Sequence, residues 1–457
     1  MCELFSPRRR ALTWRRIWLA LAEAQHDMGL PVTAKQVAAL RKAVDTVDLA
    51  AAAGHERRVR HDVMAHLHAY ADDAPAAREI LHLGATSMDV VDNADLLLMR
   101  EALRLVQSRL VAVVEALAEQ ARRHRDLPCL GFTHYQPAQL TTVGKRAALW
   151  CWDFARDLTE IDARLDGLRF RGIRGATGTQ ASFLKLLGGR KTRVADLEKR
   201  VARRLGFDAC EPVTGQTYSR KVDAQVFAAL AGIATSVHKF ANDLRLLANL
   251  KEIEEPFEAG QVGSSAMAYK RNPMLCERAT GLARFVICLA QSAYQTAAEQ
   301  WLERTLDDSS NKRIIVPEAF LAVDGMLQIV QHVASGMVVY PRVIAARIDA
   351  ELPFMATEDI LMAAVAAGGD RQDLHERIRV HSQAAAAEVK QHGRRNDLLD
   401  RLRRDGAFAA VAIDDVMNPD AYAGLAATQV DEFLRGTVAP LLRRHKNTTR
   451  PQPEIRV

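Results

Sequence analysis

At 457 residues, the chain is longer than one hydrophobic core usually supports, so we expect two or three domains. Hydrophobic residues make up 49% of it but aromatic ones only 6%, and the many Ala, Leu and Arg residues favour helices over sheets. The net charge of +6 is small for this length and is not concentrated in a run, which argues against nucleic-acid binding and suits a multiply anionic small ligand.

The start of the chain and its cysteines bear on where the protein works. The Arg-rich segment 8–16 is followed by an apolar run, 17–22, that Glu23 ends too early for a signal peptide, so we expect an amphipathic first helix. The six cysteines are scattered without a C-x-x-C pair, which indicates reduced thiols. No uninterrupted apolar stretch is long enough to span a bilayer. The sequence therefore predicts a cytoplasmic protein without a nucleic-acid or membrane partner.

Long amphipathic helices are the dominant predicted elements. Apolar residues recur at spacings of three and four along five segments, 92–123, 142–169, 222–247, 274–298 and 318–338. Helices of this length cannot bury their apolar faces alone, so we expect a bundle within or between subunits.

The predicted fold class is all-α, with three helical domains. Residues 1–86 form a smaller N-terminal helical domain, 87–339 the central long-helix bundle with a loop at 258–273, and 340–457 a C-terminal helical domain rich in Ala and Arg. Neither flanking region shows an alternating strand pattern of useful length.

The most informative segment is 263–273, Gly-Ser-Ser-Ala-Met-Ala-Tyr-Lys-Arg-Asn-Pro. Its glycine loosens the backbone, its serines supply hydroxyls, and Lys270 and Arg271 supply positive charge, which is the composition of a mobile loop that closes over an anion. Pro273 suits the start of the next helix. The alternative is a polar linker between two helices.

This segment resembles the signature loop of the fumarase/aspartase superfamily of lyases, Gly-Ser-Ser-x-Met-Pro-x-Lys-x-Asn-Pro, with Ala268 in place of the family's proline after Met. Five further motifs resemble the adenylosuccinate lyase family in its animal-type form: HLGATS at 82–87, GFTHYQPAQLTTVGKR at 131–146, RGIRGATGTQASF at 171–183, TGQTY at 214–218 and RTLDDS at 304–309. The similarity runs from about residue 14 to the last helix, in the family's order and spacing.

The resemblance implies the reaction and the assembly. Fumarate would be eliminated from adenylosuccinate to give AMP, and from succinylaminoimidazole-carboxamide ribotide to give the carboxamide ribotide, both in purine biosynthesis. Central helices from four subunits would form one long bundle, making a homotetramer with shared active sites. No metal or organic cofactor is implied.

Three residues would carry the elimination by resemblance. His134 is the acid for the departing nitrogen, Glu277 the carboxylate that orients it, and Ser264 the base that takes the carbon-bound proton. Taken by itself, a histidine is more often structural, and a serine hydroxyl is too weak an acid to ionise without compensating charge. Lys270, the amides of the loop and a helix N-terminus are candidates to supply that charge after loop closure.

The resemblance also implies the substrate contacts. Those to the nucleotide and its succinyl arm are Arg60, His61, Asp62, Thr86, Ser87 and Gln216. Those to the succinyl carboxylates are Lys270 and Asn272, and those on the nucleotide and phosphate side are Arg278, Arg304, Ser309 and Arg313. Each arginine alone is more often a solvated charge.

Three interpretations compete with parts of this one. His61, His66 and His68 crowd together, but helical residues two or five apart do not share a face, so no metal site is predicted. Another fumarate-releasing lyase with an amino-acid substrate is the enzymatic alternative. A non-catalytic helical structural homologue is the other, and it is disfavoured because His134, Ser264, Lys270 and Glu277 are all present.

The start of the chain raises one more expectation. Animal-type members carry an Arg-Tyr pair, within Ser-Arg-Tyr-Ala-Ser ahead of the first helix, that contacts the substrate phosphate, and the chain begins downstream of it. We expect that Met1 is a misassigned internal start and the natural protein is longer. The alternative is that Arg8, Arg9 or Arg10 takes over the phosphate contact.

Overall fold

The computed structural model describes residues 1–258 and 260–455, and these are mostly helical, as predicted. The α-helices are α1 Pro7–Asp27, α2 Ala34–Ala43, α3 Leu49–Val59, α4 Asp62–Asp73, α5 Ser87–Arg123, α6 Val143–Gly167, α7 Ala181–Leu186, α8 Lys191–Arg204, α9 Lys221–Asn249, α10 Met274–Ala298, α11 Asp307–Gly336, α12 Pro341–Met355, α13 Thr357–Ala366, α14 Arg371–His392, α15 Leu398–Arg404, α16 Pro419–Tyr422, α17 Ala426–Phe433 and α18 Ala439–Arg444. The strands are β1 Pro128–Thr133, β2 Gln136–Thr142, β3 Ile253–Glu254 and β4 Val338–Val339.

The chain divides into two compact units, each assembled from three stretches. Unit 1 comprises Met1–Leu110, Arg156–His238 and Thr280–Gln328, and unit 2 comprises Val111–Ala155, Lys239–Ala279 and Ile329–Val457. The predicted division into 1–86, 87–339 and 340–457 stays a prediction.

Four of the five predicted long helices begin and end close to their predicted bounds. For α10 the observed and predicted bounds, 274–298, are identical. The exception is α11, which begins at Asp307 rather than 318 and carries Pro317 inside it. A proline normally marks a helix boundary, because it lacks an N–H and crowds the preceding turn. Here Asp307 and Asp308 form a first turn whose negative charge suits a helix N-terminus, and that turn lies well before the proline.

A short β-hairpin precedes α6, and the sequence did not predict its strands. β1 and β2 pair antiparallel, with Thr133 opposite Gln136, so His134 and Tyr135 form a two-residue connection. Both have positive φ, 51° and 57°, as the favoured hairpin turns require. Asn and Gly usually occupy such positions, and other residues there cost about 1–3 kcal/mol each.

Unit 1 has an aromatic-rich core beneath its surface helices. Trp14 and Trp18 of α1 pack with Tyr70 of α4 and with Phe170 and Phe183 from the segment between α6 and α8. This core fixes α1 and α4 in position, and both helices contribute to the cavity described below. In unit 2, a separate apolar cluster joins α13, α14 and α15.

One helix, α11, is long and apolar enough by length and composition to cross a membrane. Half of its most apolar window is buried within the fold, and the core helix of a soluble protein passes the same test. Glu318 and Asp324 also interrupt its apolar sequence, so the feature is weak evidence for a membrane span.

Candidate active site

A cavity of about 710 Å³ opens in unit 1, and all of its lining residues belong to that unit. It brings together nine of the predicted substrate contacts from four separate chain segments: Arg60, His61, Asp62, Thr86, Ser87, Gln216, Arg304, Ser309 and Arg313. Its volume lies within the range of small-molecule sites.

The junction between α3 and α4 contributes three successive side chains to the cavity. Arg60 ends α3 in the left-handed conformation, with φ of 50°, which turns the chain sharply. His61 then caps α4, and its Nδ1 accepts a hydrogen bond from the Met64 N–H at 3.4 Å. The other ring nitrogen, Nε2, lies 3.4 Å from Ser87 Oγ.

Asp62 and Arg313 form an ion pair in the cavity, with 2.6 Å between Oδ2 and Nη2. Burial acts to raise the pKa of Asp62. The hydrogen bonds from Arg313 and from the Val63 N–H outweigh burial and hold that pKa below its usual range. Asp62 is therefore a carboxylate at neutral pH, and it fixes the direction of the guanidinium.

A chain of buried ion pairs supports the part of the cavity lining that includes Arg220, Arg304 and Asp308. Arg220 is almost fully buried and contacts Asp92 at 2.9 Å and Asp308 at 2.7 Å. The other oxygen of Asp308 accepts a 2.7 Å hydrogen bond from Arg304, four residues earlier in the chain. Sequence reasoning missed Arg220, Asp92 and Asp308. The only signal for Asp308 was its place inside the RTLDDS motif.

Lys312 is a further lining residue that the sequence did not single out. Its ammonium group lies 2.8 Å from the Tyr218 hydroxyl and 3.3 Å from Asp95. Burial raises the pKa of Asp95, although Lys312 acts to lower it.

Thr86 and Gln216 are positioned by local hydrogen bonds. The Thr86 N–H donates to Asp89 Oδ2 at 2.8 Å, just before α5 begins. The Gln216 side-chain amide donates to the Ala176 carbonyl at 2.9 Å. Asp89 in turn pairs with Arg171, a fully buried residue of the RGIRGATGTQASF motif.

The three arginines at the start of α1 differ in their surroundings. Arg10 lines the cavity. Arg9 pairs with Glu101 at 2.5 Å, and the exposed Arg8 donates to the Asp45 carbonyl at 3.4 Å. Neither of these two is a lining residue of the cavity.

The predicted acid, His134, lies in unit 2, at the exposed tip of the hairpin. Its neighbour in the turn, Tyr135, packs against Phe132 of β1, with ring centroids 5.8 Å apart. The hairpin therefore presents the imidazole on a strained but braced turn.

The predicted base, Ser264, lies in the signature-like loop of unit 2. Its Oγ accepts a 3.2 Å hydrogen bond from the Met267 N–H. The Asn272 side-chain amide donates to the Gly263 carbonyl at 2.8 Å, so in this conformation Asn272 braces the loop. Lys270, between them in sequence, is exposed.

A buried carboxylate joins the two ends of this loop. Glu255, before the loop, accepts hydrogen bonds of 3.1 Å from the backbone N–H groups of Leu275 and Cys276, in the first turn of α10. Burial raises the pKa of Glu255. Glu277 and Arg278 follow as exposed residues on α10, and Glu277 lies 4.0 Å from Arg245. The predicted contact of Glu277 with His134 stays a prediction.

The three clustered histidines face different neighbours. His66 meets the edge of Trp14, with centroids 5.2 Å apart, and His68 stacks on His55 at 5.4 Å. His61 faces Ser87. Across residues 1–258 and 260–455, no group of three His, Cys, Asp or Glu side chains could hold a metal ion.

Two family models match the chain. Residues 18–288 match the family described as "Lyase", and residues 353–433 match the one described as "Adenylosuccinate lyase C-terminus".

Similar proteins of known name cover nearly the whole chain. The adenylosuccinate lyase of Saccharomyces cerevisiae is 51% identical over 443 residues, which are 96% of this chain and 92% of the yeast protein. That of Schistosoma mansoni is 44% identical over 97% of this chain and 93% of its own length. That of Bacillus subtilis is 31% identical over 83% of this chain and 85% of its own length.

Solved structures share the fold. A fumarate lyase from Mesorhizobium sp. BNC1 superposes with a TM-score of 0.80 at 27% identity, over 95% of this chain and 97% of its own. A 3-carboxy-cis,cis-muconate lactonizing enzyme from Pseudomonas putida superposes with a TM-score of 0.81 at 24% identity, over 98% of this chain and 96% of its own. At that identity the similarity shows a shared fold and no more.

Proposed function

The chain belongs to the adenylosuccinate lyase family, and we propose that it eliminates fumarate from adenylosuccinate to give AMP. It is a carbon–nitrogen lyase of the purine pathway. The same elimination from succinylaminoimidazole-carboxamide ribotide gives the carboxamide ribotide, because the succinyl group is attached to nitrogen in both substrates.

The observation that carries the proposal is the cavity of unit 1. Nine family-matched residues line it, and the guanidinium groups of Arg304 and Arg313 are held in place by carboxylates. A substrate with one phosphate and two carboxylates needs several fixed cations, and hydroxyl and amide donors such as Ser309 and Gln216 suit its neutral polar atoms.

The chemistry divides between a base and an acid. Ser264 removes the proton from the carbon beside a succinyl carboxylate, and the bond between the neighbouring carbon and nitrogen breaks. His134 protonates the departing nitrogen, with Glu277 orienting its ring. Lys270 and Asn272 bind the succinyl carboxylates and stabilise the negative charge that accumulates during proton removal.

The binding residues then fall into two groups. The contacts to the nucleotide and succinyl arm are Arg60, His61, Asp62, Thr86, Ser87 and Gln216. The contacts on the nucleotide and phosphate side are Arg278, Arg304, Ser309 and Arg313. The loop ends joined by Glu255 suit a loop that closes over the substrate without losing its anchor.

We propose a cytoplasmic homotetramer with active sites shared between subunits. Support comes from apolar side chains left exposed on one face of α10: Ile287 and Tyr294, seven residues apart, are 36% and 51% exposed. Exposed apolar groups clustered on one helix are typical of a surface that another subunit covers.

A direct assay tests the function. The purified protein is mixed with adenylosuccinate, and AMP formation is followed by ultraviolet absorbance, with argininosuccinate and aspartate as competing candidates. Turnover of adenylosuccinate is expected, and turnover of only one of the other two would reassign the substrate. Size-exclusion chromatography with light scattering tests the tetramer, and a monomeric active enzyme would rule out shared sites.

A further inference from the structure

Arg10 is a cation without a carboxylate partner at the wall of the cavity. Its guanidinium makes neither an ion pair nor a hydrogen bond with any described residue, whereas Arg8 and Arg9 both have partners elsewhere. The three arginines lie in the first turn of α1, which contains no acidic residue. Positive charge is unfavourable at a helix N-terminus, so α1 gains no stability from this arrangement.

Trp14, one turn further along α1, packs against Arg10. Its ring centroid lies 5.6 Å from Arg10 Cζ, and the residue lines the same cavity. The side chain is only 1% exposed, and its Nε1–H has no hydrogen-bond partner in the described part of the chain. An N–H this enclosed cannot reach a ligand in the cavity, so Trp14 contributes by packing its ring against the Arg10 guanidinium.

The electrostatic surroundings of Arg10 point the same way. Burial and the nearby Arg313 guanidinium lower the pKa of Arg10, although Asp95, Asp62 and Glu56 act to raise it. Arg313 is already paired with Asp62, while Arg10 is not paired. A further anion in the cavity would relieve the unbalanced positive charge.

We infer that the Arg10 guanidinium binds the phosphate group of the substrate. The inference rests on the proposed function, which supplies a ligand with one phosphate. A phosphate offers three terminal oxygens, enough for a two-pronged contact with Arg10 beside the contacts proposed for Arg304, Ser309 and Arg313. In the proposed mechanism the two succinyl carboxylates are bound by Lys270 and Asn272. The phosphate is therefore the anionic group of the substrate that we assign to Arg10.

The test compares ligands with and without the phosphate. Binding of AMP, adenosine and fumarate to the full-length protein is measured by calorimetry for the wild type, Arg10→Gln, Arg10→Lys and the neighbouring control Arg8→Gln. We expect Arg10→Gln to weaken AMP binding by about ten- to a hundredfold and to leave adenosine and fumarate unchanged. Arg10→Lys keeps the charge and should recover part of the loss, and Arg8→Gln should bind AMP like the wild type.

Other results would overturn the assignment. Equal losses for AMP and adenosine in Arg10→Gln would make its effect structural, and a loss confined to fumarate would move Arg10 to a carboxylate. Unchanged AMP binding would remove Arg10 from the site. If Arg10→Gln fails to fold, Arg10→Lys decides the matter by the same AMP-to-adenosine ratio. This ratio does not depend on turnover, so a wild type that binds AMP but leaves adenylosuccinate intact would refute the proposed function and still decide the role of Arg10.

Discussion

Arg313 donates a 2.6 Å hydrogen bond to Asp62 inside the cavity, and this contact joins α11 to the first turn of α4. The two residues are 251 positions apart in the chain. The carboxylate fixes the guanidinium in place before any ligand arrives, so less conformational entropy is lost on binding. The same pairing offsets part of the positive charge, whereas Arg10 and Arg60 line the cavity without a carboxylate partner among the described residues.

Replacing Arg313 by Gln should weaken substrate binding. A charge-assisted hydrogen bond contributes about 1.5–3 kcal/mol, so KM for adenylosuccinate should rise by about ten- to a hundredfold, with a smaller change in kcat. Steady-state kinetics measures both values. Arg379→Gln is the control, because Arg379 forms an exposed ion pair with Glu376 on α14. Equal KM values in both variants would contradict a substrate contact by Arg313.

His134→Gln should lower kcat while leaving AMP binding intact. General acid catalysis typically contributes about a hundred- to ten-thousandfold in rate, and glutamine cannot supply the proton. Stopped-flow or steady-state assays give kcat, and calorimetry gives the affinity for AMP. His392→Gln, at the exposed end of α14, should behave as wild type. Near-normal turnover in His134→Gln would remove this residue from the mechanism.

Ser264→Ala should bind adenylosuccinate and leave it uncleaved, because the variant lacks the group that removes the proton. A bound, unreacted substrate should then be recoverable from the complex by mass spectrometry. Mixing dissociated Ser264→Ala and His134→Gln subunits should restore partial activity, since some reassembled sites would combine one intact copy of each residue. Mixed tetramers without activity would argue that each site is built within one subunit.

Gly263→Ala should impair the loop. A Cβ at this position would collide with the Lys270 carbonyl oxygen, which is backbone and cannot move away as a side chain could. The Asn272 bond to the Gly263 carbonyl would be disturbed as well, so we expect kcat to fall by at least about tenfold, a barrier increase of about 1.4 kcal/mol. Gly281→Ala is the control, because nothing lies within 4 Å of its added methyl group on α10. A fully active Gly263→Ala would show that the observed loop conformation is not needed.

Asp308→Asn should destabilise the protein and weaken substrate binding together. Removing one partner of a buried ion pair costs about 3–5 kcal/mol, since Arg220 would keep only Asp92. Arg304 would also lose its orienting carboxylate, so KM should rise. Thermal unfolding and kinetics measure the two effects. The adjacent Asp307 is exposed, and Asp307→Asn should change the unfolding midpoint little. Identical midpoints for the two variants would contradict the role of the buried pair.

The sequence by itself determined the helices, because their apolar periodicity is a local property. The bounds of α10 could be read from the chain, and so could the motif residues that later line the cavity. The same local reasoning failed at Pro317, where α11 continues through a residue that usually ends a helix. It also missed the hairpin, whose turn holds His134 and Tyr135 at positive φ in place of the usual Asn and Gly.

Only the tertiary structure decided which charges meet. The pairing of Asp62 with Arg313, and of Arg220 with Asp92 and Asp308, joins residues that lie far apart in the chain, and no local pattern specifies such contacts. The choice among Arg8, Arg9 and Arg10 was likewise open, since all three carry the same charge on one helical turn. The rotation of α1 about its axis, fixed by burial of Trp14 and Trp18, turns Arg10 toward the cavity and its two neighbours elsewhere.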